Sequence, residues 1–175
     1  ETILTLPVTT KELITGKYLA TAVIGLISSI IGFILTIISF AIATNMFEVY
    51  KGFSISFMAI FWGIIICIVA SLLIAALAIL LTSSAKSYKE AQASGQILQM
   101  LCIVPIFISF LNISTTTLYY IIPVLSHTTI LMDLYSGNIS YLNLFLTISS
   151  TIIYVIILLY VIIKKFKSEK VLFGA

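Results

Sequence analysis

The sequence predicts an all-α integral membrane protein, and the composition and the distribution of charge are the observations that predict it. Hydrophobic residues make up 61% of the 175-residue chain and charged residues 9%, whereas soluble domains average about 45–50% and about 25%. Four runs without Asp, Glu, Lys or Arg exceed the roughly 20 residues that cross a bilayer as a helix. The runs cover residues 18–47, 52–85, 91–132 and 134–163.

The predicted spans follow these runs and belong to one transmembrane domain that covers residues 1–175. They are helices rather than barrel strands, because apolar and polar residues do not alternate along them. Pro105 lies inside the third span and should kink it, since proline lacks a backbone donor. We place the spans at 18–46, 54–83, 93–112 and 141–163.

The lysines predict the orientation. Four crossings place both ends of the chain on the same side of the membrane. If that side is the cytoplasm, eight lysines lie inside and only Lys51 lies outside, as the positive-inside rule favours. We therefore expect the segment 1–17 and the tail 164–175 to be cytoplasmic and to contact lipid headgroups. The positive charge then reflects orientation and not a nucleic-acid partner.

The segment before the first span carries a complete helix-start motif. Thr9 and Glu12 have the spacing of a capping box, and Val8 and Leu13 have that of a hydrophobic staple. Local chemistry therefore predicts a two-turn helix over residues 10–15, separate from the first span.

The residues around this short helix complete a charged cytoplasmic segment. Pro7 precedes the motif, and Gly16 interrupts the helical pattern before Lys17. A second inside loop, "SSAKSYKEAQASGQ", again combines charge, at Lys89 and Glu90, with helix-forming residues. Two interpretations stay open for these segments: lead-in helices at the interface, or a contact surface for a partner.

A polar segment separates the last two spans. Residues 113–140 begin with a polar stretch and are interrupted by Pro123, so we predict a re-entrant or interfacial helical hairpin that enters from outside. Within the hairpin the pattern predicts a helix at 128–135 that exposes Asp133.

The ends of that helix have their own signals. Ser126 or Thr128 is the candidate N-cap, and Gly137 is the candidate stop.

Residue chemistry argues against an enzyme. His127 is the only histidine and has no partner for a catalytic pair. Cys67 and Cys102 lie in different hydrophobic runs without ligand spacing, so neither a disulfide nor a metal site is predicted. The "GKY" at residues 16–18 lacks the other parts of a phosphate-binding loop.

A translocation path would have to use uncharged polar side chains, because no charged residue lies inside a predicted span. Serine and threonine hydroxyls also serve ordinary helix packing, so both interpretations stay open. The candidates for the path are Thr36, Ser39, Asn112, Ser149, Ser150 and Thr151.

Three stretches resemble a known family. "ETILTLPVTTKELITGKYLA" is similar to the cytoplasmic segment of bacterial ABC exporter permeases of the type-2 export family, which commonly read E-T-L-L-x-x-P-[VI]-[ST]-x-x-E-[IL]-x-x-G-K. "SYKEAQ" at 87–92 and the stretch 122–174 resemble the sodium-efflux permease branch of that family. The chain departs from the family in having no arginine, which argues against a bidentate contact to a partner.

The resemblance implies the permease subunit of an ATP-driven exporter in the bacterial plasma membrane, with sodium ions as cargo. The chain would be a carboxyl-terminal fragment that holds the last four of six membrane helices. The helix at 10–15 would be a coupling helix on a separate ABC ATPase subunit, which binds ATP and Mg, and a second permease protomer would complete a dimer. The implied coupling residues are Pro7, Thr9, Lys11, Glu12, Leu13, Gly16, Lys17, Lys89 and Glu90.

Two other functions remain open at this stage. The chain could be an ATP-independent ion channel or carrier, or a membrane scaffold that transports nothing. A neighbouring reading frame with the G-x-x-x-x-G-K-[ST] motif of an ATPase would favour the exporter.

Overall fold

The computed structural model describes residues 9–47, 56–110, 116–138 and 140–166. Helices are the regular elements throughout this part of the chain, and four of them are long and apolar enough to span a membrane. The predicted all-α membrane fold is thereby confirmed. The elements are α1 (Thr10–Phe47), α2 (Phe57–Thr82), α3 (Tyr88–Phe110), a 3₁₀ helix (Thr117–Tyr120), α4 (Leu125–Tyr135) and α5 (Tyr141–Phe166).

The predicted short helix at 10–15 does not end at Gly16, because α1 continues through it to Phe47. A helical glycine costs about 1 kcal/mol relative to alanine. Burial of a large apolar side chain contributes about 1.5–3 kcal/mol, and both Ile14 and Tyr18 are buried on one face of α1. The burial of Ile14 and Tyr18 on either side of Gly16 therefore outweighs the tendency of this glycine to end the helix.

Helix α2 lies at the centre of the bundle, where it contacts α1, α3, α4 and α5. Its packing against α1 depends on Gly63, which faces the Phe33 ring. A Cβ atom added to Gly63 would stand 2.2 Å from Cζ of Phe33. The two helices thus approach as closely as a missing side chain allows.

The helix ends fall into two groups. Helices α1 and α2 are antiparallel, since the Tyr18 hydroxyl donates to the Leu72 carbonyl (3.3 Å) while Phe33 meets Gly63. Lys165 near the end of α5 donates to Ser84 in the loop after α2. The start of α1, the loop 83–87 with the start of α3, and the end of α5 therefore share one end of the bundle, which we call the charged end.

Helix α3 ends and helix α5 begins at the opposite end of the bundle, and the described residues between them fold back between the helices. Helix α4 contacts α2, α3 and α5. The described part of the segment 113–140 is therefore helical and packs into the bundle, and its re-entrant entry from outside stays a prediction.

Helix α4 starts earlier than predicted, at Leu125. Val124 has φ 68° and ψ −49°, and the Leu125 amide donates to the Pro123 carbonyl (2.8 Å). This tight γ-turn is strained for a β-branched residue. Ser126 and Thr128 both lie inside the helix, so the prediction that one of them is the N-cap is wrong.

The predicted stop of α4 is confirmed. Gly137 has φ 76°, and the amides of Asn138 and Gly137 donate to the carbonyls of Asp133 (2.9 Å) and Leu134 (3.4 Å). This pattern is a Schellman motif, which favours glycine at the left-handed position. In α3, Pro105 lies inside the helix as predicted.

Candidate functional site

The start of α1 forms the predicted capping box. The Thr9 amide donates to Oε2 of Glu12 (2.8 Å), and the Glu12 amide donates to Oγ1 of Thr9 (3.3 Å). The Thr9 hydroxyl also donates to the same carboxylate oxygen (2.7 Å). Pro7 and the staple partner Val8 lie outside the described residues.

The side chains near this start divide into two faces. Lys11, Glu12 and Lys17 are exposed and Leu13 is half-buried. Ile14, by contrast, is only 2% exposed. Helix α1 therefore presents charge to the outside while its buried face holds it against the bundle.

A second helix start at the charged end has the same spacing. The Glu90 amide donates to Oγ of Ser87 (3.3 Å), and Oε2 of Glu90 accepts from the Lys86 amide (2.7 Å). The S-x-x-E pattern at residues 87–90 was readable in the sequence as a capping signal. Lys89 beside it is exposed, so the structure brings Lys89 and Glu90 to the same end as the coupling residues of α1.

Charge is strongly asymmetric along the bundle. In the described ranges, Asp133 is the one Asp, Glu, Lys or Arg outside the charged end. The charged end carries Lys11, Glu12, Lys17, Lys86, Lys89, Glu90, Lys164 and Lys165.

The candidate path residues are not brought together. Thr36 and Ser39 line an open groove of about 390 Å³ on α1, with Leu35, Phe40 and Ala43 as the other described lining residues. The Thr36 hydroxyl donates to the Gly32 carbonyl of its own helix (2.8 Å). Ser150 and Thr151 are instead buried against α4 and the 3₁₀ helix.

Two candidates for the path remain, Ser149 and Asn112. The Ser149 hydroxyl donates to the Phe145 carbonyl of its own helix (2.6 Å), and Asn112 lies outside the described residues.

A buried polar cluster occupies the interior between α4, α5 and the 3₁₀ helix. The Tyr120 carbonyl accepts from Oγ1 of Thr147 (3.3 Å) and Oγ of Ser150 (3.5 Å). Each hydroxyl in the cluster is buried from solvent. Its members are Ser126, His127, Thr129, Thr147, Ser150 and Thr151, joined through Tyr120 to Asp133.

Asp133 is not exposed as predicted but half-buried, with the Tyr120 hydroxyl donating to its Oδ2 (2.6 Å). Burial raises the pKa of Asp133, and the hydrogen bond from Tyr120 partly opposes that rise. Its partner lies 13 residues away, which explains why a local pattern did not reveal the pair.

His127 is 6% exposed, and its Nε2 lies 3.3 Å from Oγ1 of Thr151. Burial lowers the pKa of His127 to about 4, so the imidazole is neutral at physiological pH. Thr151 donates its single hydroxyl proton to the Thr147 carbonyl at 2.6 Å. We therefore assign the ring proton of His127 to Nε2, which donates to Thr151 and leaves Nδ1 as an acceptor.

A cavity of about 170 Å³ lies beside His127, between α2, α3 and α4. Leu73, Ile74 and Leu131 supply most of its apolar wall, with Cys102 on the α3 side. Sequence reasoning set His127 aside as a histidine without a catalytic partner. Its partner Thr151 comes from α5, 24 residues away, so no local spacing in the sequence indicated the pair.

Metal-ligating side chains do not cluster in the described ranges. No group of three or more His, Cys, Asp or Glu side chains that could hold a metal ion occurs there. Cys67 is buried and Cys102 is partly buried, and both are free thiols.

Comparison with known proteins identifies the family. The model of the ABC-2 family transporter proteins matches residues 1–164, which is most of the chain. Neither the curated proteins nor the solved structures returned a match.

Proposed function

Because this chain belongs to the ABC-2 family of transporter proteins, and so is a membrane transport subunit rather than an enzyme, we propose that it is the permease of an ATP-driven exporter. A separate ABC ATPase subunit would bind ATP and Mg and dock on the charged end. The observation that carries this proposal is the convergence of four helix ends and eight charged side chains on one end of the bundle.

The start of α1 is suited to receive a push from the ATPase. Its exposed Lys11, Glu12 and Lys17 offer charge to a partner, while buried Ile14 and Tyr18 hold the same turns against the bundle. Because these turns are packed, a movement of the ATPase at this place would be transmitted to the neighbouring helices.

Helix α1 can carry that movement across the membrane. Its 38 residues extend about 57 Å at 1.5 Å per residue, well beyond the roughly 30 Å bilayer core. Phe33 and Phe40 of α1 both pack against Tyr135 at the end of α4, with ring centroids 6.2 and 5.8 Å apart from it. Tilting α1 would therefore displace the hairpin, provided that the ATPase binds the two arrangements unequally.

The charged end would face the cytoplasm of a bacterial cell, because lysines concentrate on the inner side of membrane proteins. The face of α1 that points away from the bundle exposes large apolar side chains such as Ile24, Ile31 and Leu35. We infer that lipid and a second permease protomer cover this face.

Sodium ions are the cargo that we propose first. The resemblance to sodium-efflux permeases supports it, and hard cations prefer the hydroxyl and carbonyl oxygens that gather around Thr147, Ser150 and the Tyr120 carbonyl. The test is sodium extrusion from vesicles that contain both subunits, with and without ATP. Extrusion that does not need ATP would favour a channel or carrier instead.

Docking is tested by co-purification with the ATPase from the neighbouring reading frame. Leu13→Lys and Glu12→Lys should each lower the amount of bound ATPase while membrane insertion is unchanged. Asn138→Lys is the matched control, because Asn138 is exposed at the opposite end. Equal recovery of ATPase with all three variants would rule out docking at the start of α1.

A further inference from the structure

The cavity beside His127 has the features of a ligand site that the transport function does not require. It is a half-open cavity between three helices, with a volume of about 170 Å³ and a lining of mainly apolar side chains. A dry cavity of about 150 Å³ is large enough for one benzene-sized molecule. Its size and its walls thus suit a small, mostly apolar guest.

One buried acceptor is available to such a guest. Nε2 of His127 donates to Oγ1 of Thr151, because Thr151 already donates its own hydroxyl proton to the Thr147 carbonyl. Among the residues that the structure describes, the contact given for Nδ1 is with Oγ of Ser126 at 3.5 Å, which is long for a hydrogen bond to nitrogen. A buried acceptor with so weak a partner is costly; because His127 lines the cavity, a guest whose donor reaches Nδ1 would satisfy it.

The Thr128 hydroxyl has no free proton for the guest and can only act as a second acceptor. Oγ1 of Thr128 donates to the Leu125 carbonyl (2.8 Å). Cys102 and His127 are the two soft donors among the lining residues, fewer than the three or four protein ligands of a typical zinc site. The lining therefore favours an organic molecule over a metal ion.

We propose that this cavity binds a small, mostly apolar molecule with one hydrogen-bond donor, held by Nδ1 of His127 and by the walls from α2, α3 and α4. The site is distinct from the ATPase surface proposed at the charged end. Binding would hold α4 in the position that it has in this structure. One side of the cavity is formed by α4 and the residue before it, through Val124, His127, Thr128 and Leu131.

The two cysteines of the chain provide a reporter and its control. Cys102 lines the cavity, whereas the Cys67 thiol points to the Ser29 carbonyl (3.9 Å) at the contact of α1 with α2. The probe is phenol, a benzene-sized molecule with one donor, and toluene is the match without the donor. Alkylation of each cysteine by a small thiol reagent is followed by mass spectrometry on the full chain in detergent micelles.

Phenol should slow alkylation of Cys102 and leave Cys67 unchanged. At about ten times its Kd, mass action leaves about a tenth of the cavities empty, so the rate should fall about tenfold. Toluene should bind about fivefold more weakly, the factor for one ordinary hydrogen bond. His127→Phe should remove the difference between the two probes.

Ala70→Leu provides a second variant that leaves His127 in place. Ala70 lines the cavity from α2, and the larger side chain should abolish protection by both probes. The proposal is overturned if phenol does not protect Cys102, if it protects Cys67 equally, or if Ala70→Leu retains full protection. None of these outcomes bears on ATPase docking, which the co-purification test decides separately.

Discussion

The charged end and the buried polar cluster are built in opposite ways. At the charged end the hydrogen bonds that cap α1 and α3 join residues three or four positions apart. In the cluster, His127 meets Thr151 across 24 residues and Thr147 meets the Tyr120 carbonyl across 27. Substitutions should therefore act locally at the charged end and on the whole fold in the interior.

The largest effect is expected from Gly63→Ala in the interior. The added Cβ would stand 2.2 Å from the Phe33 ring, and overpacking of this kind costs about 1–3 kcal/mol. An SDS titration in mixed micelles measures the loss in free energy of unfolding. Gly32→Ala is the control, because its Cβ would meet nothing within 4 Å, and equal losses would contradict close α1–α2 packing.

Tyr120→Phe should have the second largest effect. It should lower the free energy of unfolding by about 2 kcal/mol, because it removes a hydrogen bond to a charged, half-buried group. The variant should also raise the pKa of Asp133 further, because burial would no longer be opposed by the Tyr120 hydroxyl. Its carboxyl would then take up a proton at higher pH, which NMR titration of labelled aspartate can follow. Tyr119→Phe removes the same atom from the neighbouring residue, and an equal response would refute the pair.

Thr9→Ala should lower the stability of the first turn of α1 by about 1 kcal/mol, the usual value for a lost N-cap. The rest of the fold should keep its stability. Amide exchange should quicken at residues 10–13 while the SDS midpoint stays unchanged. Ser87→Ala should do the same for the first turn of α3. A global loss of stability from either variant would mean that the charged end is not locally stabilised.

Glu12→Gln should have the smallest effect on stability, because it removes only one exposed charge at a helix start. Glutamine can still complete a capping box, so the variant separates charge from capping. Binding of the ATPase should become less dependent on salt, because one exposed charge is removed. Unchanged salt dependence would assign the contact to other residues.

The same contrast explains what could be predicted from the sequence. The capping box of Thr9 and Glu12 and the stop at Gly137 depend on neighbours within a few residues, and both predictions are confirmed. Hydropathy alone indicated four membrane helices, and four helices of sufficient length are present in the described residues; α1 and α3 start before, and α5 ends after, the predicted spans.

The errors arose where tertiary packing outweighs local preference. Gly16 did not end the first helix, because Ile14 and Tyr18 on either side of it are buried. The start of α4 was misplaced, because a strained turn at Val124 has no local signature and needs the surrounding helices to hold it. Asp133 and His127 were misjudged, since their partners come from elsewhere in the chain.

The position of the ATPase is the central claim, and site-directed cross-linking tests it most directly. Leu13→Cys and Asn138→Cys are introduced separately into a chain whose Cys67 and Cys102 are replaced by serine, and each is treated with a thiol-to-amine cross-linker in membranes that contain the ATPase. We expect a cross-linked product with the ATPase from Leu13→Cys and none from Asn138→Cys. A product from Asn138→Cys alone, or none from Leu13→Cys while the two subunits still co-purify, would contradict docking at the charged end.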